Sequence, residues 1–406
     1  MALMPVEEAL ALLLSTAGPL GAETVSLDAA AGRVLAAPVI ARRTTPGADV
    51  SAMDGYALRA QDATDTGATL TVIGESAAGR PFAGAVLPGT TVRIFTGAVL
   101  PQGADAIVIQ EDTRRAGDSV TVTEAATAGR HIRRAGGDFA AGETLLPAGH
   151  RLRARDLALV AAGDVDMVSV ARRPRVALLS TGDELVRPGT GAGVHQVIVS
   201  NIYSVAALAR GAGAEVIDLG ILPDRMDATE TGVRAALDGG FDVLVTTGGA
   251  SVGDHDLIAP ALTAQGVDLA VHKIALRPGK PLMFGRSGAT RTQVLGLPGN
   301  PVSAHVCALL FLVPLIKALQ GLAVPPHPAL EPARLAGDVK ANEQRMDFQR
   351  AEIVGHAEGV PLVRPLPVQD SSMLRNLARA DVLLVRRPHA PAAMAGEPCE
   401  ILRLED

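Results

Sequence analysis

FDVLVTTGGASVGDHD, residues 241–256, begins as an apolar run, breaks into glycines and ends in Asp254, His255 and Asp256. A short continuous apolar run bounded by glycine reads as a strand buried on both faces. Glycines between such a strand and a following helix commonly cradle phosphate. Carboxylates repel phosphate, so this loop calls for a phosphorylated ligand accompanied by a cation.

The chain on either side repeats the pattern. RVALLS (175–180) and EVIDLG (215–220) read as strands, and IYSVAALARGAG (202–213), 227–238 and 255–265 as helices. VHKI (271–274) and QVLGL (293–297) are later strands before a long helix from Pro301 to Gln320. Apolar strands alternating with helices predict a doubly wound parallel sheet covered on both faces, which we assign to residues 173–322.

Elsewhere the texture changes. TLTVIG, TVRIFTG, AIVIQED and SVTVTE carry β-branched alternation between Gly and Pro turns, giving an all-β module over 44–139. Residues 1–43 plus 140–172 form an extended helical, linking domain, with helix over 5–17 and around ARDLALVAAG. AVPPHPALEP (323–332) reads as a linker, and FQRAEIVG, PLVRPL, DVLLVRRP and CEILRL as strands of a C-terminal β-barrel-like domain over 323–406. The fold class is therefore multidomain α+β: a central doubly wound α/β domain, an inserted all-β module and a C-terminal β domain.

A formal net charge of −6 gives no general basic field for nucleic acid or an anionic membrane, so any anion site is local. Aromatic residues at 2% and the absence of Trp argue against a base-stacking platform. Cys307 and Cys399, without a C-x-x-C, argue against a disulfide framework or zinc knuckle and suit a reducing cytoplasm. MALMPVEEALALLLSTAG carries Glu7 and Glu8 and no basic leader, so it reads as an amphipathic helix rather than a signal peptide. The longest apolar run, Val306 to Ile316, is interrupted by Pro314 and reads as too short to span a bilayer.

Ligands of a doubly wound sheet sit beyond the carboxyl ends of its strands, and three ends here carry chemistry. One continues into Thr181-Gly182-Asp183-Glu184, the second into the opening loop, with Gly248, Gly249, Ser251 and Gly253, and the third into Pro298-Gly299-Asn300-Pro301. In the third, Asn300 suits an N-cap, Pro301 suits the first turn, and free N–H groups favour an anion. A capped helix without a ligand would read the same way. HKIALRPGKP (272–281) sets Lys273, Arg277 and Lys280 around a Pro278-Gly279 turn, which presents cations at the sheet edge; a solvated charged face is the plain alternative. Glu184, Asp224 and Asp256 recur at strand ends, and Mg²⁺ uses one or two carboxylates with phosphate oxygens and water. Glu184 and Asp256 are the metal candidates. The G-x-G-x-x-G and Walker A patterns are absent, so neither a dinucleotide nor a P-loop nucleotide site is signalled.

SAMDGYAL (51–58) alone is an ordinary turn. It is followed in order by RIFTGAVLPQGADAIVIQED, GGDFAAGETLLPAGHRL, LLSTGDELV, TTGGASVGDHD, LRPGKPLMFG and LGLPGNPVSA. Together these stretches closely resemble the molybdopterin molybdenumtransferase (MoeA) family, also found as the E domain of gephyrin, over about residues 5–405. The resemblance implies insertion of molybdenum from molybdate into adenylylated molybdopterin, release of AMP, and help from Mg²⁺. It implies an adenylyltransferase-like α/β domain and a homodimer whose site is shared across subunits. The adenylyltransferase and apo-molybdoenzymes are implied as further partners. Carried over by position, the functional acids are Asp54, Asp138, Glu184, Asp224 and Asp256, with Thr96 beside them. Lys273, Lys280 and a C-terminal Arg345 are the implied cations. Arg277 stands where some members have lysine; it keeps the charge and adds a planar fork. A serine pair of some members falls on Arg375-Asn376, so no functional serine is assigned. The alternatives are a molybdopterin adenylyltransferase, which shares the α/β domain, and a gephyrin-like scaffold without turnover.

Overall fold

A computed structural model describes residues 3–248 and 257–404. The chain divides into two compact units, one of residues 1–23, 32–36 and 170–406, the other of 24–31 and 37–169.

The first unit contains the doubly wound sheet. Its strands lie in the order Glu215–Leu222, Arg175–Thr181, Val243–Thr247, Gln293–Leu297, Pro281–Ser287 and Val267–Lys273. The first four run parallel. The strand Pro281–Ser287, absent from the expected set, is antiparallel to both neighbours, so the sheet is mixed at one edge. PLMFGRS follows the cationic turn directly, and only a reversal lets so short a connection return to the sheet.

Alternate residues of each strand serve opposite faces. Val176, Leu178, Val243, Val245, Leu295 and Leu297 pack with the helices Val6–Ser15 and Asn201–Gly211 and with the long helix Pro301–Leu319. Ala177, Leu179, Leu244 and Val294 pack with the helices Met226–Asp238 and Ile258–Ala264. This explains why the strands read as continuous apolar runs.

The long helix expected from Pro301 to Gln320 runs over Pro301–Leu319 and continues through Pro314. A π-helical stretch, Ala308–Leu312, precedes it and opens the turn where the proline ring would meet a carbonyl. The helix is therefore long and apolar enough to cross a membrane by length and composition, but 67% of its most apolar window is buried in the protein. It is a core helix.

The strands Met346–Ala357, Val360–Pro365, Glu331–Leu335, Pro398–Arg403 and Val382–Arg386 pair in that order, and the last pairs back to the first, closing a five-stranded barrel. The strand Glu331–Leu335 starts inside the segment read as linker. The short strand Leu276–Arg277 joins this barrel, parallel to Met346-Asp347, and so ties the cationic turn to it.

In the second unit, six strands pair in the order Ala106–Ile109, Gly55–Leu58, Thr90–Ile94, Thr69–Ser76, Ser119–Val122 and Thr113–Ala116. Gly55 admits no other residue, because a Cβ there would lie 2.1 Å from the Val108 carbonyl oxygen.

Candidate active site at the strand ends

The strand Arg175–Thr181 is flanked by the next two strands of its sheet, Glu215–Leu222 on one side and Val243–Thr247 on the other. The chain thus changes winding direction between Thr181 and Thr247, where doubly wound folds place their ligands. Ser180 and Thr247 share a hydroxyl hydrogen bond of 2.8 Å at this point. Gly248 has φ +87°, and a Cβ there would stand 2.9 Å from the Thr181 carbonyl oxygen. A Cβ on Gly299 would be 4.0 Å from Gly248 Cα, so the three strand ends meet. Glu184 folds its carboxylate over Gly182, whose missing Cβ makes the room. Asp183 and Asp224 bridge two ends reciprocally, each backbone N–H donating to the other's carboxylate at 3.3 and 3.1 Å. Gly249, Ser251, Gly253 and Asp256 lie outside the described residues.

The cationic turn is anchored from beneath. Ile274 and Leu276 are fully buried, and the Ile274 N–H donates to the Lys280 carbonyl at 3.1 Å. Arg277 and Lys280 are left exposed. Arg277 Nε lies 3.8 Å from the carboxylate of Asp347, which is 4% exposed. The barrel also supplies Arg350, a buried guanidinium close enough to feel both Asp347 and Arg277. Burial lowers its pKa from the ordinary arginine value, yet arginine stays charged in proteins. Its Nη2 donates to the Asp370 carbonyl at 3.2 Å, while its buried Nε has no hydrogen-bond partner among the described residues. Asp347 and Asp370 balance the charge of the two guanidinium groups, so what the buried Arg350 offers an anion is its unpartnered Nε donor.

Arg350 is thus a barrel arginine that sequence reasoning missed, in addition to Arg345, whose neighbour Met346 pairs with Leu276 of the cationic turn. Arg345 is half-buried, and its carbonyl accepts from Asn342 Nδ2 at 2.7 Å. The structure also brings up Ser371, which sequence reasoning left unassigned. Its carbonyl accepts the Val302 N–H at 3.1 Å, and its hydroxyl oxygen accepts from Asn300 Nδ2 at 3.1 Å. Asn300 therefore occupies the N-cap position without capping through its own side chain. The barrel segment does that work, and it links Arg350 to the N-terminus of the long helix.

In the second unit, one carboxylate oxygen of Asp54 accepts both the backbone N–H and the hydroxyl of Thr96, each at 2.8 Å. These bonds, the backbone one foremost, hold the Asp54 carboxyl below the usual aspartate range. Asp138 is exposed in the same unit, its N–H donating to the Thr45 carbonyl at 3.1 Å.

Among the described residues no three acid, His or Cys side chains gather to hold a metal on their own. Mg²⁺ beside a phosphorylated ligand needs only one or two carboxylates, and Glu184 is the described acid that fits.

The switch-point crevice, with a buried arginine and a cationic turn beside it, belongs to the α/β domain of a multidomain α+β protein. Comparison with known proteins narrows this class. The profile of the MoeA N-terminal region (domain I and II) matches residues 4–163, a molybdopterin-binding domain profile 177–318, and the MoeA C-terminal region (domain IV) 332–404. A molybdopterin molybdenumtransferase of Nostoc sp. is 38% identical over 80% of this chain and 76% of its own. One from Haemophilus influenzae is 35% identical over 94% of each. The crystal structure of a molybdopterin biosynthesis MoeA protein from Pyrococcus horikoshii superposes with a TM-score of 0.84 at 29% identity, covering 100% of both chains. The chain belongs to the MoeA family of molybdopterin molybdenumtransferases.

Proposed function

We propose that this chain inserts molybdenum from molybdate into adenylylated molybdopterin and releases AMP, the last step of molybdenum cofactor biosynthesis. The observation that supports it most is the Arg277–Asp347–Arg350 cluster beside the switch-point crevice, in a chain with all three MoeA family regions. Molybdate is a tetrahedral dianion, and a desolvated arginine fork with a free donor suits it. Lys273 and Lys280 add charge for the phosphates of the pterin nucleotide, and the backbone at Gly248 and Gly299 leaves room for close approach. Mg²⁺, when bound, would neutralise charge building on the cleaved phosphoanhydride, with Glu184 and Asp256 as its protein ligands. Arg277, Arg350 and the lysines stabilise the same developing charge from the other side. Asp54, Thr96 and Asp138 act from the β module, which in a homodimer belongs to the partner subunit. Partner apo-molybdoenzymes and a cytoplasmic location belong to the same reading.

The test supplies the purified protein with adenylylated molybdopterin, Mg²⁺ and molybdate, and follows AMP together with reconstitution of an apo-molybdoenzyme. The reading predicts molybdate-dependent AMP release with gain of enzyme activity. ATP-dependent adenylylation of molybdopterin, with no molybdate-dependent AMP, would instead assign the chain to the preceding reaction.

A further inference from the structure

We propose that Arg93 is a positioning residue that fixes the Asp54 carboxylate for the reaction. The proposal rests on the reading above in taking Asp54 as a participant. Arg93 and Tyr56 stand opposite each other in an antiparallel strand pair, and the Arg93 guanidinium carbon lies 5.2 Å from the Tyr56 ring centroid. It also lies 4.8 Å from the Phe95 ring centroid. A planar cation with aromatic rings this near has little freedom to turn. Its fork then reaches the SAMDGY turn from two directions. Nη1 donates to the Gly55 carbonyl at 3.2 Å, and Nη2 to Gln110 Oε1 at 2.7 Å. Gln110 in turn donates its backbone N–H to the Asp54 carbonyl at 3.0 Å.

One guanidinium thus holds the Gly55 carbonyl just after Asp54 and the side chain of Gln110, which donates to the Asp54 carbonyl, while Thr96 grips one oxygen of the Asp54 carboxylate. The other oxygen, Oδ2, takes no hydrogen bond from the described residues, so its position depends entirely on this frame. Lysine would keep the positive charge but cannot reach both acceptors at once. The substitution Arg93→Gln removes the fork, the charge and the ring stacking together. A displacement of about 1 Å at a reacting group costs on the order of a hundredfold in rate.

The experiment compares Arg93→Gln, Arg93→Lys, Asp54→Asn and the Arg93→Gln/Asp54→Asn pair in molybdate-dependent AMP release, with thermal unfolding of each. Carbon-13 titration of the Asp54 carboxyl is recorded alongside. The proposal predicts that Arg93→Gln lowers kcat about a hundredfold at little-changed KM, with Arg93→Lys between it and the parent. The double variant should be no slower than Asp54→Asn, because residues acting through one group are not additive. The Asp54 titration should move upward in Arg93→Gln. Losses that multiply in the double variant, a normal rate in Arg93→Gln, or an unmoved Asp54 titration would each overturn the proposal. If Arg93→Gln does not fold, Arg93→Lys carries the same comparisons. Should the parent show no molybdate-dependent AMP release, the assigned reaction fails, and an Asp54 titration that still moves shows the positioning to stand apart from it.

Discussion

Asp54 is a small carboxylate whose hydrogen bonds come from one neighbour, Thr96. Two donors from Thr96 stabilise its ionised form and lower its pKa, so the carboxylate persists to lower pH than an unpaired aspartate would. That stabilisation is present above the ordinary aspartate pKa and is lost as pH falls through the depressed value. Thr96→Val keeps the backbone donor and removes the hydroxyl. The acid limb of its kcat/KM profile is predicted to move to higher pH, and an unshifted limb would mean that Asp54 does not control it. Thr96 and Asp54 were named through the family resemblance of RIFTG and SAMDGY, and the structure joins them by two hydrogen bonds. Arg350 and Ser371 were not legible, because their importance lies in where the barrel folds back. Nothing in QRMDFQR marks Arg350 until the barrel buries it.

At the scale of elements, the helix Pro301–Leu319 does two jobs. Its N-terminus forms one wall of the strand-end crevice, and its apolar side fills the largest core. Phe311 is fully buried there, and its truncation to Ala removes packing on the order of 3–5 kcal/mol. Denaturant unfolding of Phe311→Ala should show a loss of that size with an unchanged slope. A loss under about 1 kcal/mol would place Phe311 outside the core. The helix was legible from Pro301 to Gln320; the π turn that carries it past Pro314 was not, because a π turn is a tertiary accommodation rather than a local preference. The antiparallel strand Pro281–Ser287 escaped notice for a similar reason, its PLMFGRS carrying a Gly and an Arg within a buried run. The remaining acid of the proposal, Asp256, lies outside the described residues. Asp256→Asn should abolish AMP release while leaving the protein folded, and near-normal turnover would remove Asp256 from the reaction.

For the whole molecule, the winding order brings Thr181, Gly248 and Gly299 to one point, and the barrel adds Arg350 and Ser371 to the same neighbourhood. The doubly wound domain was legible from continuous apolar strands, since burial on both faces leaves a strong mark in sequence. The C-terminal domain was legible as barrel-like, but not which strands close it, because the pairing of Val382–Arg386 with Met346–Ala357 is nonlocal. The arrangement accounts for a reaction in which an oxyanion enters as a pterin nucleotide is cleaved. Its most direct test is a single-turnover reaction with limiting adenylylated molybdopterin, measuring molybdenum bound to the pterin product against AMP formed. The account predicts equal amounts, rising together. AMP formed without molybdenum in the product would contradict it.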